Sequence, residues 1–306
     1  MTKPVSSLLA KLLKIRLNRF VRNLDGLERG DIEALHRVRV ASRRIRELVP
    51  VLQLDSGRTR KLGRRLRKVT SRLGAMREFD VLLLLVDELH VSKPAHQAAL
   101  RRVRARVVGD RDAARKRLKG KLPPDKLRRL GRRLKRVHEA LSKRAEPQPT
   151  VQQVRALQWA IEARVARRAT ALQTAIESAG AVYLPERLHD VRIASKKLRY
   201  ALELSEQTRG TRNTPPVRAL KRVQGLLGRM HDLQVLIERV RQVQAELVPP
   251  NLTSWSELND LVTTLEDMCR RLHARYVRER TTIDALTRRK ASNGAGQRQR
   301  ADRKAG

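Results

Sequence analysis

The chain holds one cysteine, two tryptophans, three tyrosines and two phenylalanines in 306 residues. A lone Cys269 excludes a disulfide framework and points to a reducing compartment. So few aromatics argue against a β fold, and they leave no platforms on which single-stranded bases would stack. Carboxylates are short as well, 31 against 70 basic residues, for a formal charge of +39. Phosphoryl transfer on Mg²⁺ needs converging carboxylates, and the sequence groups none. It also has no glycine-rich phosphate loop ending in Lys-Ser/Thr and no nucleophile elbow. His90, His96, His138, His231 and His273 show no i, i+4 pairing with each other or with Cys269, so no metal and no cofactor is expected. No run of 18 apolar residues occurs, and basic residues interrupt the apolar positions of MTKPVSSLLAKLLKIRLNRF, so neither a spanning helix nor a signal core forms. The expectation is a non-enzymatic, cytoplasmic protein with no membrane partner.

What is present is 40% apolar residues, mostly Leu, Val and Ala, enough for a helical core and against wholesale disorder. A charge of +39 repels itself in a compact monomer and calls for a multivalent anion. One stretch occurs twice. Leu35 to Leu48 reads LHRVRVASRRIREL, and Leu188 to Ala201 reads LHDVRIASKKLRYA, identical at seven of fourteen positions with a shift of 153. At 100° per residue, His36, Arg39, Arg43 and Arg46 fall within about 80° of one another, opposite Val38, Ala41, Ile45 and Leu48. The second copy repeats this with His189, Arg192, Lys196 and Arg199, backed by Val191, Ala194 and Leu198. Each copy is an amphipathic helix with an apolar back and a narrow cationic front. Arginine suits phosphate because its planar fork donates two parallel hydrogen bonds.

The helical pattern runs Val5 to Leu27, Asp31 (an N-cap) to Leu54, Arg58 to Leu89, Pro94 to Lys119 and Pro124 to Lys143. After a linker at Glu146 to Thr150 it resumes, Val151 to Ala179, Pro185 to Gln207, Val217 to Val248 and Ser254 to Arg288. The order repeats beyond the opening motif. Lys68 to Met76 aligns with Arg222 to Met230 at a shift of 154, carrying Arg67 and Lys68 onto Lys221 and Arg222. Lys11 and Lys14 align more weakly with Arg164 and Arg167. The economical reading is an all-α fold of two tandem helical bundles, residues 5–145 and 151–288, with a disordered basic tail at 289–306.

The pattern His-x-x-Arg-(Val/Ile)-Ala-Ser-(Arg/Lys)-(Arg/Lys)-(Leu/Ile)-Arg, with Leu-Gly-x-x-x-acidic about 38 residues later, resembles the CHAD family, the conserved-histidine α-helical domain. Leu73-Gly74 with Arg77-Glu78 and Leu227-Gly228 with His231-Asp232 complete the two signatures, and the resemblance covers residues 5 to 288. It implies two pseudo-symmetric four-helix bundles around a basic central cavity or pore, and binding of inorganic polyphosphate at polyphosphate granules. Phosphate or sulfate would occupy the same site. The residues expected to carry binding are His36, Arg39, Arg43, Arg46, His189, Arg192, Lys196 and Arg199. Lys11, Lys14, Arg164, Arg167, Arg67, Lys68, Lys221 and Arg222 support them. No Glu-x-Glu occurs, so the triphosphate-tunnel chemistry found beside some CHAD domains is not expected.

Blander readings stand beside these. Any single arginine could belong to a solvated face, and His36 and His189 could be interhelix packing residues. The alternative function is non-specific nucleic-acid binding, since charge alone would drive it, although no helix-turn-helix is present. Gly74 and Gly228 are expected to permit close helix approach, Arg77 to pair with Glu78 and Asp80, His231 to fix packing with Asp232, and Trp159 and Trp255 to pack.

Overall fold

The computed structural model describes residues 5–52, 54–89, 93–143, 150–248 and 251–302. The expected linker at 146–150 therefore lies, except for Thr150, outside the described residues. Among the described residues there are only helices and turns. They are α1 (Val5–Val21), α2 (Leu24–Arg29), α3 (Ile32–Leu48), α4 (Ser56–Glu88), α5 (Pro94–Lys121), α6 (Pro124–Lys143), α7 (Val151–Ala179), α8 (Pro185–Arg209), α9 (Pro215–Ala245) and α10 (Leu252–Asp302).

Local chemistry sets the helix boundaries. Asp31 caps α3, its carboxylate accepting from the Glu33 N–H at 2.8 Å, as its position before the apolar row requires. Gly30 closes α2 with φ +89° and Gly210 closes α8 with φ +73°, both in the left-handed region. Two expected boundaries differ. The first helix breaks after Val21 and restarts at Leu24. The second stops at Leu48, because Pro50 lacks the N–H that would continue it and Val49–Val51 tighten into a 3₁₀ turn. The last helix runs past Arg288 to Asp302, over most of the segment read from composition as disordered. Ala, Gln and Arg there favour a helix against the opposing Gly294 and Gly296.

The fold has two compact units, Met1–Asp80 with Asp110–Ile161, and Val81–Gly109 with Glu162–Gly306. Segment 81–109 thus groups with the later half of the chain, and the start of α7 with the earlier half. Ion pairs hold 81–109 in its unit: Arg229 to Glu88 at 2.9 Å, Arg102 to Glu257 at 3.2 Å, and Arg106 to Glu246. Exposed pairs of this kind contribute little. Burial of Leu82, Leu85, Val86, Leu100 and Val103 contributes most, at about 1.5–3 kcal/mol per large side chain.

In the first unit α1 packs on α3 and α6, burying Leu9, Leu13, Leu17, Phe20, Val38, Ile45, Leu48 and Leu134. In the second, α9 packs on α8 and α10 around a core that includes Ile176, Val191, Leu198, Leu220, Leu227, Met230 and Tyr276. Cys269 is fully buried there, and burial pushes its thiol pKa up. No helix among the described residues is long and apolar enough to cross a membrane.

Candidate polyanion-binding faces

The two motif helices present their faces as the periodicity requires. On α3, Leu35, Val38, Ala41, Ile45 and Leu48 are buried while His36, Arg39, Arg43 and Arg46 are half-buried. On α8, Leu188, Val191, Ala194 and Leu198 are buried while His189, Arg192, Lys196 and Arg199 are half-buried. Half-burial matters, because a cation partly withdrawn from water acts more strongly on a nearby anion than a fully solvated one.

The Ala-Ser pair within each motif is structural. Ser42 is fully buried and donates to the Arg39 carbonyl at 2.8 Å. Its oxygen lies 3.1 Å from the Thr70 hydroxyl, whose one proton can be donated to Ser42 or to the Leu66 carbonyl 2.7 Å away. That contact fixes α3 against α4 beside Arg39. Ser195 is equally buried and donates to the Arg192 carbonyl at 3.0 Å. The counterpart of Thr70 is Gln224, also buried.

The groups that act on the two histidines include one from the Leu-Gly motif in each unit. His189 Nδ1 lies 3.3 Å from His231 Nδ1, with ring centroids 4.7 Å apart. This is the interhelix packing reading of His189, and it replaces the expected pairing of His231 with Asp232. In the first unit the position equivalent to His231 is Arg77, and Arg77 acts electrostatically on His36. Arg77 does not make the expected ion pair with Asp80, which instead accepts from Arg111 Nε at 2.8 Å. Arg77 and His231 are the residues that sequence reasoning leaves out of the faces. Their equivalence at a shift of 154, inside a motif already singled out, is the signal that could have found them.

The electrostatics are those of a cationic face in each unit. Burial lowers the pKa of His36, and Arg77 lowers it further. Burial and Arg192 do the same to His189. His231 is pushed down to about 3 by burial, then by Arg192, His189 and Lys196. All three imidazoles are therefore neutral at pH 7; His36 can donate its one N–H to an anion, whereas in the His189–His231 pair one ring donates to the other and only the accepting ring keeps an N–H for an anion. An arriving phosphate would raise all three.

The supporting cations are placed unevenly. Arg67 lies two turns before Gly74, on the stripe of α4 that meets Arg39, and Lys221 stands the same way to Gly228. Lys68 and Arg222 fall about 120° away from those glycines, and Arg222 pairs with Glu279 at 3.5 Å. Lys221 donates to the Asn213 side chain at 3.1 Å. Arg199 pairs with Glu203 at 3.7 Å and lies over the Tyr200 ring, 5.1 Å from its centroid. Lys11 and Lys14 are exposed on α1. After burial, the charge of Lys14 is the main cause lowering the pKa of His138 on α6, so Lys14 leans toward α6. Arg164 is half-buried and Arg167 exposed on α7.

A Cβ on Gly74 would meet Arg39 Nε at 3.5 Å, an ordinary contact, and one on Gly228 would meet nothing within 4 Å. Contrary to expectation, neither glycine is required for close approach. Trp159 and Trp255 are each 51% exposed rather than packed, because both lie on outward faces of their helices. Met76 and Met230 are core, as expected. No group of three or more His, Cys, Asp or Glu side chains suited to a metal occurs among the described residues.

Comparison with known proteins agrees with this arrangement. The sequence model of the CHAD domain matches residues 11–241. The chain belongs to the CHAD domain family. Two solved structures share the fold. One is the CHAD domain from the plant Ricinus communis, at 21% identity and TM-score 0.61 over 94% of this chain and 92% of that one. The other is PptA from Streptomyces chartreusis, at 19% identity and TM-score 0.57 over 90% of this chain and 99% of that one. No curated protein sequence matches significantly.

Proposed function

We propose that this chain binds inorganic polyphosphate, without catalysis, through the two His-Arg faces, and that it associates with polyphosphate granules in the cytoplasm. The observation that carries this reading is the recurrence, in both units, of a half-buried imidazole held neutral beside cations. Such a face is unfavourable for a metal ion and favourable for a phosphate oxygen. Membership of the CHAD family supports the ligand. Arg39, Arg43, Arg46, Arg192 and Lys196 supply charge-assisted hydrogen bonds to non-bridging oxygens, and His36 and one ring of the His189–His231 pair supply neutral donors, all three imidazoles gaining charge on binding. Arg67 and Lys221 extend the faces along α4 and α9. Lys11, Lys14, Arg164, Arg167, Lys68 and Arg222 contribute longer-range attraction, which draws the polyanion in and is screened by salt. Free phosphate and sulfate bind the same faces weakly, because each occupies one subsite.

Non-specific nucleic-acid binding is the competing reading, and the charge of +39 favours it equally. Competition separates the two. Labelled long-chain polyphosphate bound to the full chain is challenged with duplex DNA, RNA, ATP and sulfate at matched phosphate concentration and fixed salt. Polyphosphate should resist displacement by all four. Displacement by DNA at equal phosphate concentration would remove the claim of specificity.

A further inference from the structure

The first unit carries an open groove of about 410 Å³ beside the first turns of α4 and the last turns of α6. Its floor is aliphatic, from Leu54, Leu62, Val137, Ala140 and Leu141. Its rim is cationic, from Arg58, Lys61, Arg65, Arg133 and Arg136. No hydroxyl, amide or carboxylate side chain lines it. Asp55 offsets Arg58 at 3.0 Å and Glu139 faces Lys135 at 4.0 Å, which leaves the other four rim cations without a carboxylate among the described residues. Like charges gathered around one groove repel one another, and an anion placed among them relieves that repulsion.

The groove is separate from the His-Arg faces. On α4, Lys61, Arg65 and Arg58 lie about 120°, 160° and 180° around the helix from Arg67, which extends those faces. The faces are duplicated, whereas the groove is not. At the shift of 154, Lys61 and Leu62 correspond to Pro215 and Pro216, and Arg65 to the buried Ala219. Helix α6 has no counterpart in the second half of the chain, where α7 to α10 answer to α1, α3, α4 and α5. A ligand shared by two equivalent faces does not account for a groove that only one unit has.

We infer that this groove binds a single-chain fatty acid taken from solution, its alkyl chain on the aliphatic floor and its carboxylate on the cationic rim. A molecule with no polar group beyond its head matches a lining of aliphatic carbons and cations. A nucleotide or a sugar would find no side-chain acceptor there for its N–H and O–H donors. A second copy of this chain, at +39, would meet the rim with like charge. The volume falls in the range of small-ligand sites, and α6 from Arg133 to Leu141 extends about 12 Å, which suits a chain of medium length. Exposed cations contribute little one by one, so the chain supplies most of the affinity and the rim selects the sign of the head.

The test uses the full chain labelled with ¹³C at the valine and alanine methyls and titrated with decanoate, at fixed salt and below its micelle concentration. The Val137 and Ala140 methyls should shift while those of Val191, in the second unit, stay still. A methylene moved fully out of water changes affinity about fourfold. In an open groove octanoate, shorter by two methylenes, should therefore bind at least about fourfold more weakly than decanoate. Butanoate and decylammonium should shift neither residue. Lys61→Glu with Arg136→Glu should weaken decanoate at least about fivefold. Ala140→Trp, at an exposed position of the lining, should abolish the Val137 shift while circular dichroism and thermal melting stay unchanged. Arg39→Ala with Arg192→Ala should leave decanoate binding unaltered, so this inference and the polyphosphate reading fail independently. The inference is overturned by silent methyls, by equal binding of decylammonium (a merely apolar surface), by equal binding of butanoate (a merely basic one), or by an unaffected Ala140→Trp variant. A response to phosphatidylglycerol vesicles without one to decanoate would overturn it as well, and assign the groove to a membrane surface.

Discussion

Removing Arg39 and Arg192 should weaken polyphosphate binding far more than removing two equally charged residues elsewhere. Arg39 and Arg192 are half-buried in the centre of their faces, and each acts on a histidine of its own face. Arg132 and Arg133 are exposed on α6, outside both. A hydrogen bond between a charged side chain and phosphate contributes about 1.5–3 kcal/mol. Each inner substitution by alanine should therefore raise Kd about ten- to a hundredfold. Outer charges act on the ligand only through solvent, where the screening length is about 8 Å at 0.15 M salt. Arg132→Ala and Arg133→Ala should each cost no more than about twofold. The inner and outer double variants lower the net charge equally, so a difference between them cannot come from charge alone. The assay is fluorescence anisotropy of end-labelled polyphosphate at several salt concentrations, with thermal melts as a control for folding. The inner variants should also lower the slope of log K against log salt by about 0.7 for each phosphate they no longer neutralise. Equal losses of affinity from the inner and outer pairs would refute the reasoning and leave only a basic surface.

Other consequences follow from the same geometry. In the unfolded chain His36, His189 and His231 titrate near 6.5, whereas in the folded protein all three are lower, His231 at about 3. The folded state refuses protons that the unfolded state accepts, so stability should be level above pH 7 and fall as pH drops below 6.5. His231→Gln should make that fall shallower, as read by urea melts at pH 7, 6 and 5. Polyphosphate binding should have the same origin and the opposite sense, tightening between pH 7.5 and 6 as bound phosphate raises the histidine pKa values. Gly228→Ala, in the interior of α9 with nothing within 4 Å of the new methyl, should stabilise the chain by about 0.5–1 kcal/mol, seen as a higher urea midpoint. Glu206 is buried, and its carboxylate accepts from the Asn213 and Thr214 N–H groups at 3.2 and 2.6 Å. Glu206→Ala should destabilise the α8–α9 turn by about 2 kcal/mol, measured by thermal unfolding.

The helices and the two faces are legible in sequence because both are local. Period 3.6 places His36 with Arg39, Arg43 and Arg46 whatever the tertiary structure does, and Asp31 announces its helix by the residues next to it. The internal repeat carries much of the rest. It matches Ser42 to Ser195 and Met76 to Met230, and the structure gives both pairs equivalent roles. What cannot be read depends on long-range geometry. Asp80 has Arg77 three residues away in sequence, yet it pairs with Arg111. His231 has Asp232 beside it, yet its ring meets His189. Segment 81–109 precedes the expected boundary near residue 150, but it groups with the later unit and buries Leu82, Leu85, Val86, Leu100 and Val103. Gly74 and Gly228 look like close-approach glycines in one dimension, and only the positions of neighbouring side chains show that both have room for a methyl group.

The central claim is that the two His-Arg faces, rather than the basic surface at large, receive polyphosphate. A histidine-resolved NMR titration of the full chain tests it most directly. On addition of long-chain polyphosphate at 0.15 M salt, the imidazole signals of His36, His189 and His231 should shift and their pKa values rise. His96, buried on α5, and His273, packed between Tyr183 and Tyr276, should not respond. Saturable binding that leaves His36, His189 and His231 unmoved would contradict the account.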